Sequence, residues 1–358
     1  MRNPLRGRFA AMAQAVAGAV LIAAAGAALA APGQQPFVTI PQEEVAQQQQ
    51  QRQETQPLNN APVWREVRSG QGITQIRGVE TGVLVQSQGE TWREMRNGPV
   101  TFYGGILMVA VPVLILVFYL VRGPLKQHEP DTGRKILRFS AWDRVIHWST
   151  AISWLILAIT GLIILFGKYV LLPVFGYTVF AFLANLSKNL HNFVGPYFIV
   201  SALAMVVTYA GRNLPRAYDL QWLAKLGGFF SNKEVPSGFF NAGEKLWFWI
   251  GVFLLTIVVS VTGLILDFPN FGQGREAMQL ANVIHAIGAL LYMAFGLGHI
   301  YLGTIGVQGA YHSMRYDGMV DEAWAKAHHE YWYEEVKAQQ KGSVQAAGAV
   351  GGGEPQRA

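Results

Sequence analysis

The 358-residue chain contains no cysteine. That excludes disulfides, iron–sulfur clusters on Cys thiolates and c-type haem attachment, so any redox group it carries must be held by His or Met. Charge is also scarce. Asp, Glu, Lys and Arg make up 14% of the residues, against about a quarter in soluble domains. None of the four occurs in the interior of the long apolar runs, which argues against an ion or proton carrier, because such proteins use intramembrane charges. Net charge is +6. In a soluble protein that excess would suit nucleic acid. In a chain that is 51% hydrophobic it points instead to basic loops flanking membrane spans, and no nucleic-acid role is expected.

What is present is apolar length. Five segments, roughly 99–121, 145–166, 193–211, 246–266 and 279–303, each approach the ~20 residues of a spanning helix. The connection between the first two holds Arg122, Lys126, Arg134, Lys135, Arg138 and Arg144. The connection between the third and fourth holds Arg212, Arg216, Lys225, Lys233 and Lys245. The other two hold only Lys168 and Lys188, and then Arg275. The positive-inside rule puts the two basic loops and the C-terminus in the cytoplasm and the mature N-terminus outside. Residues 1–30 agree with that orientation. Arg2, Arg6 and Arg8 precede an Ala-rich run ending at Ala28-Leu29-Ala30, the pattern of a cleavable secretory signal peptide. Residues 31–98 form an extracytoplasmic segment, disordered in its Gln-rich part, 31–61, with a small β-hairpin expected in GVETGVLVQSQGETWREMRNG, 78–98. Residues 336–358 read as a disordered tail. An amphipathic helix at 321–340 is expected to lie on the membrane or on a partner.

Histidines carry the chemistry. VIHAIGALLYMAFGLGHIYLG, 283–303, places two of them, His285 and His299, in one apolar segment. Fourteen residues rise about 21 Å and return to the same helix face within about 40°. Gly288, Ala289, Tyr292 and Gly296 lie between them on that face, and small residues there admit a close neighbour or a flat ring. His191, ahead of the third segment, matches the depth of His285. His147, near the start of the second, matches His299. Two depth-matched pairs, each drawn from two helices, suit two haems with bis-imidazole axial ligation. A lone intramembrane histidine is more often an interhelical polar contact. Zinc is a rival, but the two depths are too far apart for one ion and no carboxylate completes either pair. His128, His312, His328 and His329 fall in loops or the tail, where solvated surface is the default. Arg144, one turn before His147 in WDRVIHW, is a candidate partner for a haem propionate. Pro196 is expected to kink the helix near His191. ITGLII (159–164) and VTGLIL (261–266) echo each other and indicate similar close packing, although the histidines do not repeat with them.

These motifs carry a resemblance. DRVIHW, LHNFVGP, FFNAGEKLWFW (239–249) and the His285/His299 pair resemble the gamma subunit of membrane-bound respiratory formate dehydrogenase, a cytochrome b, over about residues 133–335. The N-terminal extension resembles the longer bacterial form. The resemblance implies an all-α membrane protein: a four-helix transmembrane cytochrome b bundle plus one additional N-terminal transmembrane helix. It implies two haem b groups on His147, His191, His285 and His299. It also implies an iron–sulfur beta subunit and a molybdenum or tungsten catalytic alpha subunit as partners, and a bacterial inner-membrane location. Electrons are then expected to pass from the outside to quinone at the cytoplasmic side. Asn241, in FNAGEK, matches the family's quinone-contacting Asn, with His299 nearby, and Glu244 stands where many relatives have Gln. Related cytochromes b serving hydrogenases or other molybdenum enzymes share single motifs. A haem-free membrane anchor is the alternative of another class.

Overall fold

The computed structural model describes residues 87–127, 129–229 and 235–351, with Glu43, Gln47, Gln50, Gln51 and Ser69. The expected signal peptide and the final residues, 352–358, lie outside the described residues, as does His128. In order, the elements are α1 (Ser87–Met95), α2 (Thr101–Arg122), β1 (Lys135–Leu137), α3 (Ala141–Tyr209), α4 (Ala217–Ala224), α5 (Ala242–Leu246), α6 (Thr256–Asp267), α7 (Arg275–Tyr301), α8 (Ala310–Ser313), β2 (Met319–Asp321), α9 (Glu322–His328) and α10 (Glu330–Gly351). Among the described residues four helical runs are long and apolar enough to cross a membrane: Gly89–Arg122, Ala141–Asn213, Ala242–Asp267 and Arg275–Gly306.

The second and third apolar segments therefore share one helical run. At ~1.5 Å per residue a straight helix of 69 residues would far exceed any bilayer. It turns back at Gly176, whose φ of 75° and ψ of 177° are open essentially only to glycine. Contacts between its arms run antiparallel. Trp142 meets Thr208, Ser149 meets Tyr197, and Thr160 meets His191. Helical dihedrals continue through Pro196, and Gly176 is the residue of the run with non-helical dihedrals. The start of α3 is fixed by a capping box in which Ser140 and Asp143 bond each other's backbone N–H groups.

The chain divides into two compact units. One takes residues 1–109, 161–188 and 258–290. Here Trp92 Nε1 donates to Asn282 Oδ1 at 3.3 Å, and α2 and α7 meet where Gly104 lies against the Leu290 side chain. The expected β-hairpin is corrected in its second half. Ser87–Met95 is helical and continues through a π-helical turn, Arg96–Val100, into α2. QGETWREM has no alternating apolar side chains to bury on one sheet face.

The other unit takes residues 110–160, 189–257 and 291–358. Its helices are apolar outward, with Val207 75% and Val121 67% exposed, as lipid-facing surfaces are. Inward hydroxyls of α3 are satisfied by their own helix: Thr150 donates to Ile146 O and Ser153 to Ser149 O. Beyond the helix ends, β1 pairs antiparallel with β2, with Ile136 opposite Val320. Ile136, Val320, Trp324, Ala325 and Trp332 form a small core there. The segment expected as a single amphipathic helix is thus α9 and α10, broken at His329 and folded onto its own chain. Helix continues through Gly351 where a disordered tail was expected. His329 is also corrected from surface to core: it is 2% exposed, and its Nδ1 lies 2.8 Å from Gly238 O. His312 is exposed, as expected.

Candidate functional site: a histidine-lined cavity

α3 and α7 bring His147 and His299 together, their ring centres 6.3 Å apart and their planes at 57°. Both face a cavity of about 370 Å³. Trp247 lies flat on His299, 4.9 Å between centres and 13° between planes. The Trp247 ring lies over Gly251, where a Cβ would collide with it. Trp247 opens a π-helical stretch, Trp247–Leu255, and such segments gather at functional sites. Trp148 sets its edge against His147 at 5.3 Å. Tyr292, two turns before His299, is held by a 2.9 Å bond to Thr256. Gly296 gives the wall its closeness: a Cβ there would sit 2.6 Å from the Trp154 ring. The small-residue face expected on this helix therefore lines the cavity at Tyr292, Gly296, His299 and Gly303.

The cavity wall is mostly apolar, with Arg138, Asn213 and Glu244 among its polar residues. The Arg138 side chain is 2% exposed. Its Nη2 donates to Phe239 O at 3.0 Å and to Glu244 Oε1 at 3.3 Å. The Phe139, Phe239 and Trp324 rings lie 5.1, 5.7 and 5.0 Å from its guanidinium. Burial pulls the Arg138 pKa down and the Glu244 carboxylate opposes that pull. Guanidinium stays charged in proteins, so the site keeps a buried cation. His147 Nδ1, Asn213 Oδ1 and Arg138 Nε are buried and have no hydrogen-bond partner among the described residues.

Two other expected site residues are committed elsewhere. Arg144 donates from Nη1 to Phe139 O at 2.6 Å and is not a lining residue of the cavity. The lining cation is Arg138. Asn241 caps α5: its Oδ1 accepts from Glu244 N at 3.0 Å, and Glu244 Oε2 accepts from Asn241 N at 2.8 Å. The lining carboxylate is Glu244, one turn later. His191 and His285 lie in different units. His191 Nδ1 is 2.8 Å from Thr160 Oγ1. His285 Nδ1 is 3.1 Å from Thr262 Oγ1.

This donor set fits a haem. Two imidazoles binding one metal from opposite sides, at about 2 Å per bond, have ring centres about 6 Å apart, the separation of His147 and His299. No third ligand competes: among the described residues no three His, Cys, Asp or Glu side chains group to hold a metal ion. Unsatisfied polar atoms in the wall of a mostly apolar cavity suit a planar, mostly apolar group with polar appendages.

The comparisons with known proteins agree. Residues 138–315 match the family of prokaryotic cytochrome b561; with its apolar helices the chain is a multi-pass membrane cytochrome b. Over 206 residues, 56% of this chain and 93% of the relative, it is 31% identical to the cytochrome b556(fdo) subunit of formate dehydrogenase from Escherichia coli K12. It is 29% identical over 211 residues, 57% and 93%, to the nitrate-inducible cytochrome b556(Fdn) subunit of the same strain. To the cytochrome b556 subunit of Haemophilus influenzae formate dehydrogenase it is 25% identical over 212 residues, 58% and 86%. The chain belongs to the family of formate dehydrogenase cytochrome b subunits, whose cofactor is haem b.

Proposed function

We propose that the chain passes electrons from an iron–sulfur beta subunit, served by a molybdenum or tungsten formate-oxidising alpha subunit, to quinone at the cytoplasmic side of the bacterial inner membrane. Haem b, when bound, supplies one-electron redox chemistry at its iron. The protein's contribution is to hold, orient and tune it. His147 and His299 hold an inner haem, and their 6.3 Å pairing on one cavity is the observation that carries this reading. His191 and His285 hold an outer haem. That assignment is supported by their matched depth in the sequence and by the like surroundings of their Nδ1 atoms.

Quinone is bound in the part of the cavity lined by Arg138, Glu244 and His299. Arg138 supplies positive charge there. Glu244, partly exposed, holds and gives up protons arriving from the basic, cytoplasmic loops. Asn241 acts through the cap that fixes the start of α5. Arg144 steadies the Phe139 carbonyl rather than the cavity. Carrying an electron inward opposes the membrane potential by about 2.3 kcal/mol per 100 mV, and uptake of quinone protons on the cytoplasmic side turns that work into proton-motive force.

The test is a reduced-minus-oxidised visible spectrum of the protein purified from membranes with ample haem supply, together with haem-to-protein stoichiometry. Two low-spin b haems per chain are expected, falling to one in His147→Ala or His299→Ala. Folded protein with no haem would overturn the reading and leave a membrane anchor.

A further inference from the structure

We propose that Thr160 and Thr262 are positioning residues that fix the tautomer of His191 and His285 and so set the potential of the outer haem. The inference rests on the reading of those two histidines as axial ligands. Thr160 Oγ1 is 2.7 Å from Ile156 O and 2.8 Å from His191 Nδ1. A hydroxyl has one proton and a carbonyl only accepts. The proton therefore goes to Ile156 O, and the oxygen accepts from His191 Nδ1–H. A neutral imidazole has a single N–H, so Nε2 keeps its lone pair for a metal. Thr262 has a similar arrangement, with Oγ1 2.6 Å from Val258 O and 3.1 Å from His285 Nδ1; the Val259 backbone also bonds the His285 ring and favours the same N–H.

Two unrelated contacts would not be expected to share a sequence pattern, yet these do. Thr160 and Thr262 are the threonines of ITGLII and VTGLIL. The glycine after Thr262 has a visible reason. A Cβ on Gly263 would come within 3.3 Å of His285 Cε1, so glycine lets the imidazole lie close to the helix backbone. In VTGLIL the glycine therefore completes a seat for the ring that Thr262 bonds.

The consequence is electronic. A hydrogen bond accepted from the distal N–H raises a histidine's basicity as a ligand and fixes its orientation. A threonine oxygen that already donates to a carbonyl is the better acceptor for it. A more basic ligand favours the oxidised iron and lowers its potential. His147 Nδ1 has no such partner among the described residues. The outer site is thus biased to the lower potential, which directs electrons inward.

Thr160→Val and Thr262→Val keep shape and remove the acceptor. Haem-loaded protein is titrated potentiometrically and its low-spin EPR signals recorded. The expected result is that one haem midpoint rises and its EPR signal shifts, the other haem is unmoved, and Thr→Ser restores both readings. If a Val variant loses one haem, its Ser counterpart must keep that haem at the original potential; loss in both overturns the proposal. Unchanged potentials in both Val variants also overturn it, provided His191→Ala and His285→Ala each remove one haem. If those two histidine variants retain both haems, the ligand assignment itself has failed.

Discussion

Arg138→Met tests whether the buried cation in the cavity wall stabilises the fold. The guanidinium stands 2% exposed and donates to the Phe239 carbonyl at 3.0 Å and to Glu244 at 3.3 Å, among three aromatic rings. Methionine is of similar length and apolar, so it leaves little void. Losing a hydrogen bond from a charged donor costs about 1.5–3 kcal/mol. The Glu244 side chain is 36% exposed, so the carboxylate left behind is partly hydrated, and its share of the loss is about 1 kcal/mol. Relief of the buried charge's desolvation offsets part of this. The net expectation is a loss of roughly 2–3 kcal/mol, or a fall in melting midpoint of roughly 4–12 °C for a domain of this size. The assay is thermal unfolding in detergent, followed by the haem Soret band, for Arg138→Met, Glu244→Gln and the double variant. The double-mutant cycle should return a coupling of about 1 kcal/mol between the two sites. Haem content should not change, because the proposed ligands are histidines. A single variant within about 0.5 kcal/mol of the parent, or strictly additive effects, would show that the ring cage and the ion pair do not stabilise the protein.

Asp219→Asn strands Lys245, whose Nζ makes bonds of 3.0 and 2.8 Å to that carboxylate with its side chain 7% exposed; a loss of about 3–5 kcal/mol is expected by the same melt. Burial, and next the charge of Arg138, hold His329 well below the usual histidine pKa. It therefore stays neutral when folded but protonates near pH 6.5 when unfolded, and stability should fall by about 1.4 kcal/mol per pH unit below that point. His329→Gln should flatten that slope in denaturation curves taken from pH 7 to 5. Gly296→Leu should push the Trp154 ring into the cavity and lower haem content by one per chain in the stoichiometry assay, while both haems persisting would refute the tight wall.

Much of the architecture was legible because the bilayer imposes it. Segments of about 20 apolar residues had to be helices, and the helices cover them. His147 and His299 were legible as a pair for a related reason: a titratable ring in an apolar run needs a compensating partner, and depth restricts the choice. What hydropathy could not give was the direction of side chains at helix ends. Arg138 and Arg144 lie six residues apart in one basic loop. Only the strand pairing of Ile136 with Val320 and the capping box at Ser140 turn the first into the cavity and the second onto a carbonyl. Trp247 was missed because an aromatic near a span's end reads as an interfacial anchor. Its place over His299 is a contact between distant segments, for which sequence periodicity has no signal. His329 was missed because its burial depends on α9 and α10 folding back, and the charged face of that segment resembles any solvated helix.

The threonines show a different limit. ITGLII and VTGLIL are 102 positions apart, and as sequence they report only that two helices use the same small step. Each threonine reaches its histidine across 31 and 23 residues, so neither ring's partner is visible locally. A membrane makes that partnership informative. A serine or threonine in hydrocarbon usually spends its proton on the carbonyl one turn back, which silences it as a donor but leaves its oxygen able to accept. A neutral histidine whose Nδ1 faces such a hydroxyl, as in His191 and His285, must carry its proton there and keep the Nε2 lone pair free. A span therefore needs no carboxylate to orient a ligand imidazole. One back-bonded hydroxyl suffices, at no cost in intramembrane charge. On that logic, the scarcity of charge in these helices is compatible with finely set ligands, and a polar pattern as slight as T-G-L-I in an apolar span is worth searching for the imidazole it faces.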